Sequence, residues 1–366
     1  MQTIYKGIGH LREALEDSRK ILLVCDSSFP YLNIKDEIEN TDIPHVVFDQ
    51  FTPNPLYEDV CKGVDLFQIT KCDTILAVGG GSSLDVAKCI KLYSNLPGDG
   101  ANGTWLKSEI VPNDIPFLAM PTTSGTGSEA TRYAVIYYDG VKQSVSDYSC
   151  IPGTVLMDAS VLKTLPEYQK KATMCDALCH AIESFWSVNS TDESKGYSKA
   201  AIQGVLENMN GYLANTEEGN AGMLQAAHTA GKAINITQTT AGHAMCYKIT
   251  SLFRSAHGHA AVLCDRVLFP WMVENTDKCI DPRGEEYLRT TLDEIGRAMG
   301  CGDAREGAGK LRSIFDSLGL EVPTATAEQF EILKNSVNPV RLKNHPIALD
   351  VDTIDALYHR ILNGER

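Results

Sequence analysis

An α/β domain followed by an all-helical domain is the fold class this sequence predicts, and three observations carry it. Short apolar runs recur through the first half, with segments of helical character between them: Ile21-Leu22-Leu23-Val24-Cys25, Thr74-Ile75-Leu76-Ala77-Val78 and Phe117-Leu118-Ala119-Met120. Continuous runs of this kind are what buried parallel strands look like. From Leu165 onward the texture changes to Ala-rich stretches with helical spacing, as in 197–206 and 222–234. The chain has 366 residues, comfortably enough for two domains of ~150 residues or more.

Ile21–Cys25 predicts the first buried strand, Thr74–Val78 and Phe117–Met120 the next, and Gly153-Thr154-Val155-Leu156-Met157-Asp158 the last. The boundary then falls between Thr164 and Leu165, giving domains 1–164 and 165–366. No apolar run reaches the ~18 residues of a membrane span, and the stretch Met1 to Lys20 has no apolar signal core, so the sequence predicts a cytoplasmic protein without a membrane partner. Against 33 Lys and Arg stand 47 Asp and Glu, a net charge of -14 that repels polyanions and excludes nucleic acid as a partner. The 11 cysteines are odd in number, scattered from Cys25 to Cys301, and form no CxxC pair, which reads as free thiols.

Two glycine-rich elements follow strands. In DTILAVGGGSSLDVAK the strand runs into Gly79-Gly80-Gly81, with a helix starting near Ser82 or Ser83. Glycines let a backbone approach a phosphate, and the amides of a helix N-terminus favour that anion. The spacing matches neither GxGxxG nor a P-loop, so a plain tight turn fits this segment equally well. The second element, Pro121-Thr122-Thr123-Ser124-Gly125-Thr126-Gly127-Ser128-Glu129, follows the Phe117–Met120 strand with hydroxyl donors and two more glycines. Two such loops at the carboxyl ends of parallel strands together favour a dinucleotide.

The segment ATMCDALCHAIE places Asp176 and His180 at i and i+4 on one helical face, where they can meet one cation or form an ordinary polar pair. His243 and His257 are fourteen residues apart; in one unbroken helix they would be ~21 Å apart, so joint ligation requires the chain to turn, with 251–256 as the loop and His257 opening the next helix beside Gly258. His259, two residues on, points the opposite way and reads as a core or supporting histidine. One Asp and three His suit Fe(II), Zn(II), Mn(II) or Co(II) alike.

In this order GGGSSLDVAK, PTTSGTGSE, DALCHAIE, the His243 and His257 pair, and RLKNHPI resemble the iron-containing, group III alcohol dehydrogenases, across nearly the whole chain. The resemblance implies a dehydroquinate synthase-like architecture: an α/β dinucleotide-binding domain, an all-α domain, and an active site in the cleft between them. It implies Asp176, His180, His243 and His257 as metal ligands, with Fe(II), or else Zn(II), as the metal. It also implies Gly79, Gly80, Gly81 and Ser82 at the cofactor phosphates, Thr122, Thr123 and Thr131 lining the cofactor cleft, and Asn54 and Lys142 as further contacts. Asp26 matches the acidic position that accepts ribose hydroxyls, and its charge repels a 2′-phosphate, so NAD(H) is expected over NADP(H). Members of the family are commonly dimers or larger, which implies a homo-oligomer.

The implied reaction is hydride transfer between NAD(H) and a primary alcohol or aldehyde, the metal polarising the oxygen. Where many members carry a histidine four residues after the first metal histidine of this segment, this chain has Tyr247, which faces as His243 does and is the expected proton donor, with solvent or a ribose hydroxyl as alternatives. Lys248 and Arg254 between the metal histidines, and Arg132 beside the cofactor loop, are either solvated charges or a clamp for an anionic substrate. The stretch GHAMCYKITSLFRSAHGHA is similar to the branch that reduces phosphonoacetaldehyde to 2-hydroxyethylphosphonate, so an anionic aldehyde is expected, with short neutral alcohols and aldehydes as the alternative. A lyase of the dehydroquinate synthase kind, or a non-catalytic NAD- or metal-binding protein, would keep the same architecture.

Overall fold

A computed structural model describes residues 2–362, and the chain forms two compact units: Met1–Leu165 with Asn215–Leu224, and Pro166–Ala214 with Gln225–Arg366. The first unit is α/β and the second is built of helices, the fold class expected from the sequence. Its segment Asn215–Leu224, which includes the start of a helix, groups with the first unit although it follows the boundary in sequence.

In the first unit the strands are β1 Thr3–Lys6, β2 Ile21–Cys25, β3 His45–Phe48, β4 Thr74–Gly79, β5 Phe117–Pro121, β6 Tyr133–Tyr138, β7 Val141–Ser146 and β8 Thr154–Met157. Its helices include α1 Leu11–Ala14, α2 Lys35–Glu39, α3 Tyr57–Thr70 and α4 Gly81–Tyr93. Six strands form one parallel sheet in the order β1-β8-β5-β4-β2-β3. Every residue of β2, β4 and β5 is buried, as expected for strands covered on both faces. Val60 and Val64 of α3 and Val86 and Ile90 of α4 belong to the same core cluster as Leu22, Val24, Ile75 and Ala77. The direction in which strands are added reverses between β2 and β4, which makes their carboxyl ends the switch point where doubly wound sheets take ligands.

β6 and β7 form a separate antiparallel hairpin. Its turn, Asp139-Gly140, has positive φ at both residues (49° and 71°), the conformation of a two-residue hairpin loop matched to strand twist.

The second unit contains α5 Glu167–Trp186, α6 Asp192–Leu213, most of α7 Glu217–Thr237, α8 Ala241–Phe253, α9 His257–Glu274, α10 Glu285–Ala298, α11 Ala304–Leu318, α12 Ala327–Ser336, α13 Pro339–Leu342 and α14 Val351–Leu362. α5 is buried without interruption from Met174 to Trp186, and α9 from Gly258 to Phe269, so both are central helices rather than amphipathic surface ones. They meet at Gly258, where a Cβ would lie 2.0 Å from the Ala172 carbonyl oxygen and 2.6 Å from Asp176 Cβ. All the cysteines are free, and among the described residues no helix is long and apolar enough to cross a membrane.

Candidate functional site

Asp176, His180 and Glu183 recur at i, i+4 and i+7 along α5 and so share one face, pointing at the start of α8. α8 has no side-chain cap of its own at Thr240; Glu183 serves instead. Its carboxylate accepts from Thr240 N (2.6 Å), Thr240 Oγ1 (2.5 Å), His243 N (3.0 Å) and His243 Nδ1, which occupies its acceptor capacity while it stabilises the positive end of the helix. Trp186 Nε1 in turn donates to Thr240 Oγ1 (2.8 Å). With Nδ1–H committed to Glu183, His243 presents Nε2 to Asp176 Oδ1 at 3.4 Å. Gly242 makes this possible: a Cβ there would sit 1.9 Å from Asp265 Oδ1 and 2.8 Å from Glu183 Oε1.

His257 arrives from the other side. The chain turns at Arg254, in the left-handed region with φ 55°, and α9 begins at His257 itself. α8 extends to Phe253, so the turn is shorter than the expected 251–256 loop. His257 Nε2 lies 4.0 Å from Asp176 Oδ1, and ligand atoms of Asp176, His243 and His257 all fall within 4.8 Å of one another. His180 is beside this triad: its ring stacks on that of His243 at 4.5 Å and its Nδ1 is 4.0 Å from Asp176 Oδ2. His259 is directed elsewhere, between Tyr168 Oη (3.0 Å) and the Glu321 carbonyl (2.9 Å).

Burial would raise the Asp176 carboxyl, but the charge of His180, followed by His243 and His257, holds it well below the usual carboxylate range. Burial would likewise raise Glu183, and His243 outweighs it, so that carboxyl is lowered too. His243 is pushed down by burial and lifted further by Glu183 and Asp176, to about 10. Asp265 is raised well above its ordinary value, by burial first and then by the neighbouring Glu183 charge, so it is the protonated member of that carboxyl pair. Two ionised carboxylates buried in a helical core require compensation. Without a metal the compensating charge comes from protonated imidazoles, His243 among them; with one, neutral imidazoles and Asp176 offer the nitrogen and oxygen donors that Fe(II) or Zn(II) takes. The residues fit the implied ion.

Tyr247 stacks on His257 with ring centroids 5.5 Å apart and planes at 14°. Burial raises its phenol and the Arg341 charge partly offsets that, leaving Tyr247 protonated at neutral pH. Arg341 itself, in α13, lies with Cζ 6.0 Å from the Tyr247 ring centroid. The three basic residues singled out in the sequence lie on different elements. Arg254 is exposed at the end of α8 and Lys248 is half-buried. Arg132 belongs to the first unit, where its guanidinium packs over Tyr133 (5.0 Å) and Tyr148 (4.5 Å) and donates to the Tyr148 hydroxyl.

In the first unit Asp26, Gly79–Gly81 and Thr122–Thr123 gather at the carboxyl ends of β2, β4 and β5. α4 starts at Gly81, a residue or two earlier than the sequence suggested, with Gly80 at its N-cap and Ser82 in its first turn. The two glycine loops touch: a Cβ on Gly80 would be 3.3 Å from Thr123 Cγ2, and one on Gly81 3.0 Å from Thr126 Cγ2. Asp26 accepts from Ser28 N (2.8 Å), Ser28 Oγ (2.5 Å) and Ser83 Oγ (2.9 Å). Asn54 is exposed in a left-handed turn (φ 59°). The following Pro55 accepts from Tyr137 N (2.9 Å), and Tyr137 pairs with Lys142 across the hairpin.

Lys88 went unnoticed in the sequence because lysines are rarely fully buried. Its ammonium donates to Ser128 O (2.6 Å), Ser128 Oγ (2.9 Å), Thr131 Oγ1 (3.1 Å) and Tyr133 O (2.7 Å), bolting the second loop to α4. Asp85, one helical turn before it, accepts from Ser128 Oγ (2.9 Å) and Val135 N (3.0 Å). Thr131 is therefore buried within this bolt.

A parallel sheet with glycine loops at its switch point, and a helical unit with a buried Asp/His cluster suited to a divalent ion, are the features of a dinucleotide- and metal-binding protein. Residues 3–159 match the iron-containing alcohol dehydrogenase family and residues 170–362 the C-terminal region of the same family, so the chain belongs to it. The aldehyde-alcohol dehydrogenase of Streptococcus pneumoniae is 29% identical over 276 residues, covering 70% of this chain, which spans only 31% of that longer protein. Long-chain-alcohol dehydrogenase 1 of Geobacillus thermodenitrificans is 28% identical over 95% of this chain and 90% of its own. Phosphonoacetaldehyde reductase of Streptomyces viridochromogenes is 29% identical over 74% of this chain and 73% of its own. The crystal structure of sulfoacetaldehyde reductase from Bifidobacterium kashiwanohense in complex with NAD+ shares the fold, with a TM-score of 0.86, 24% identity and coverage of 100% of this chain and 98% of that one.

Proposed function

We propose that the protein transfers hydride between NAD(H) and a primary alcohol or its aldehyde, with Asp176, His180, His243 and His257 holding a divalent ion, Fe(II) or Zn(II). The observation that carries this reading is the convergence of Asp176, His243 and His257 in a member of the iron-containing alcohol dehydrogenase family. When bound, the ion supplies Lewis acidity toward the substrate oxygen and the nicotinamide exchanges hydride with carbon. The chain's residues do the rest. Glu183 orients the His243 ring and keeps the proton of that imidazole at Nδ1. Gly79, Gly80, Gly81 and Ser82, with the α4 N-terminus, receive the pyrophosphate, while Thr122, Thr123, Asn54 and Lys142 contact the rest of the cofactor and Thr131 secures the loop. Asp26 accepts ribose hydroxyls and disfavours a 2′-phosphate. Tyr247 Oη, protonated at neutral pH, gives its proton to the substrate oxygen during reduction.

For the substrate, a neutral alcohol or aldehyde is the reading the relatives support best, since those named for such alcohols and aldehydes match this chain about as well as the phosphonoacetaldehyde reductase does. One observation favours an anionic aldehyde instead: Arg341 is one aromatic ring away from His257, across Tyr247, and joins no ion pair among the described residues. Anaerobic NADH oxidation by the Fe(II)-reconstituted protein, with propanal and phosphonoacetaldehyde in parallel, separates the two. A kcat/KM preference for propanal supports the neutral substrate. A preference for the phosphonate that collapses in Arg341→Met supports the anionic one. Absence of NADH consumption with either aldehyde, and of NAD+ reduction by ethanol, overturns hydride transfer. NADPH run beside NADH tests Asp26: Asp26→Gly is expected to narrow the preference for NADH.

A further inference from the structure

We propose that Tyr168 is a positioning residue for His257, with His259 as its fixed anchor; the inference rests on the metal-binding reading of His257 given above. His257 is the most exposed of the four ligands. Its side chain is 37% exposed, against 2% for His243 and 3% for Asp176. It opens α9, whose preceding residue, Ala256, has no side-chain cap. Its Nδ1 lies 3.6 Å from the Cys246 thiol, a weak hydrogen-bonding group.

Tyr168 supplies what the helix start lacks. Ala256 N–H donates to Tyr168 Oη at 2.9 Å. A phenol has one proton, and because the amide can only donate, that proton is free for His259 Nδ1, 3.0 Å away. His259 Nδ1 must then be bare, its proton sits on Nε2, and Nε2–H donates to the Glu321 carbonyl at 2.9 Å. For a neutral His259 ring, the chain Ala256, Tyr168, His259, Glu321 has one consistent hydrogen-bond arrangement, with the Tyr168 hydroxyl held between Ala256 and His259. Tyr168 lies in the first turn of α5, the helix that also carries Asp176 and His180. One rigid helix therefore bears two ligands and the post that locates the third. The His259 ring packs edge-on against Tyr168 at 5.8 Å, so removing the hydroxyl alone leaves the packing in place.

The test is cobalt(II) binding to the metal-stripped full chain, read by chelator competition and by the visible spectrum of the bound ion, with NAD+ binding measured beside it. Tyr168→Phe is expected to weaken cobalt by about 10- to 100-fold, the usual effect of removing a ligand's outer support, and to shift the visible bands, with NAD+ affinity unchanged. His259→Gln, whose amide can accept from Tyr168 and donate to Glu321, is expected to stay near the wild-type affinity, while His259→Leu falls with Tyr168→Phe. Wild-type affinity and spectrum in Tyr168→Phe overturn the proposal; should that variant not fold, equal affinities in His259→Gln and His259→Leu overturn it. A wild-type chain that binds no cobalt removes the metal reading itself, an outcome distinct from the failure of Tyr168 alone.

Discussion

Gly258→Ala isolates the close approach of α5 and α9 on which the site depends. The added Cβ would lie 2.0 Å from the Ala172 carbonyl oxygen, 2.6 Å from Asp176 Cβ and 2.9 Å from Asp176 N. Carbon and oxygen seldom approach closer than about 3.3 Å, so the helices must separate locally by more than 1 Å. None of the struck atoms is the far end of a flexible side chain, so the strain cannot be relieved by a rotamer change. Overpacking of this kind costs about 1–3 kcal/mol, and the upper end applies here. The larger consequence is for the metal: Asp176 is on one side of the contact and His257 is the residue before it, while ligand distances tolerate only about 0.2 Å. The assay pairs urea denaturation of the metal-free protein with cobalt or iron affinity from chelator competition. Gly258→Ala should lose stability and most of its metal affinity together. Gly196→Ala, in α6 with no atom within 4 Å of the new methyl, serves as the control and should gain about 0.5–1 kcal/mol from helix propensity. A Gly258→Ala protein with wild-type stability and metal affinity would refute the close-packing argument.

Glu183→Gln should weaken metal binding by about 10- to 100-fold, because an amide nitrogen would face donors where the carboxylate accepts four bonds. The wild-type His243, lifted to about 10, carries a proton throughout the neutral range, so metal binding should release about one proton per site and affinity should rise with pH until that value is passed. Calorimetry in buffers of different ionisation enthalpy measures the release; none at pH 7.5 would show that His243 is already neutral. Lys88→Met, which strips a buried ammonium from four acceptors and from the neighbouring Asp85 charge, should cost about 3–5 kcal/mol and raise the KM for NADH at least tenfold while leaving metal content intact. A KM equal to wild type would remove the bolt from the account of cofactor binding.

The buried strands were legible because burial on both faces leaves an uninterrupted apolar run, as in β2 and β4. The edge strand β1 is four residues with exposed ends and carries no such signature. The hairpin β6–β7 did have one, the Asp139-Gly140 turn between alternating residues, and it was the overlooked clue. At the site, spacing within one helix exposed Asp176 and His180, and the same spacing extends to Glu183. What spacing cannot show is distance through space. Tyr168 and His259 are 91 residues apart in sequence yet lie within hydrogen-bonding distance, and Arg341 reaches Tyr247 from a helix the motif reading left without a role. Conversely, Arg254 is close to His257 in sequence but is turned outward by the left-handed residue that ends α8.

The charges in the buried layer also say which kind of ion the protein is built around. Asp176 and Glu183 are ionised and Asp265 is not, so the layer carries two negative charges when its imidazoles are neutral. A proton on His243 cancels one of them. A divalent ion cancels both and returns His243 to the neutral form in which Nε2 is free to bind it. Magnesium and calcium carry the same charge but prefer oxygen donors, whereas the histidines around Asp176 present nitrogen. Charge thus selects the valence, donor type selects the transition metals, and Glu183 couples the two by holding the His243 proton on the side away from the metal.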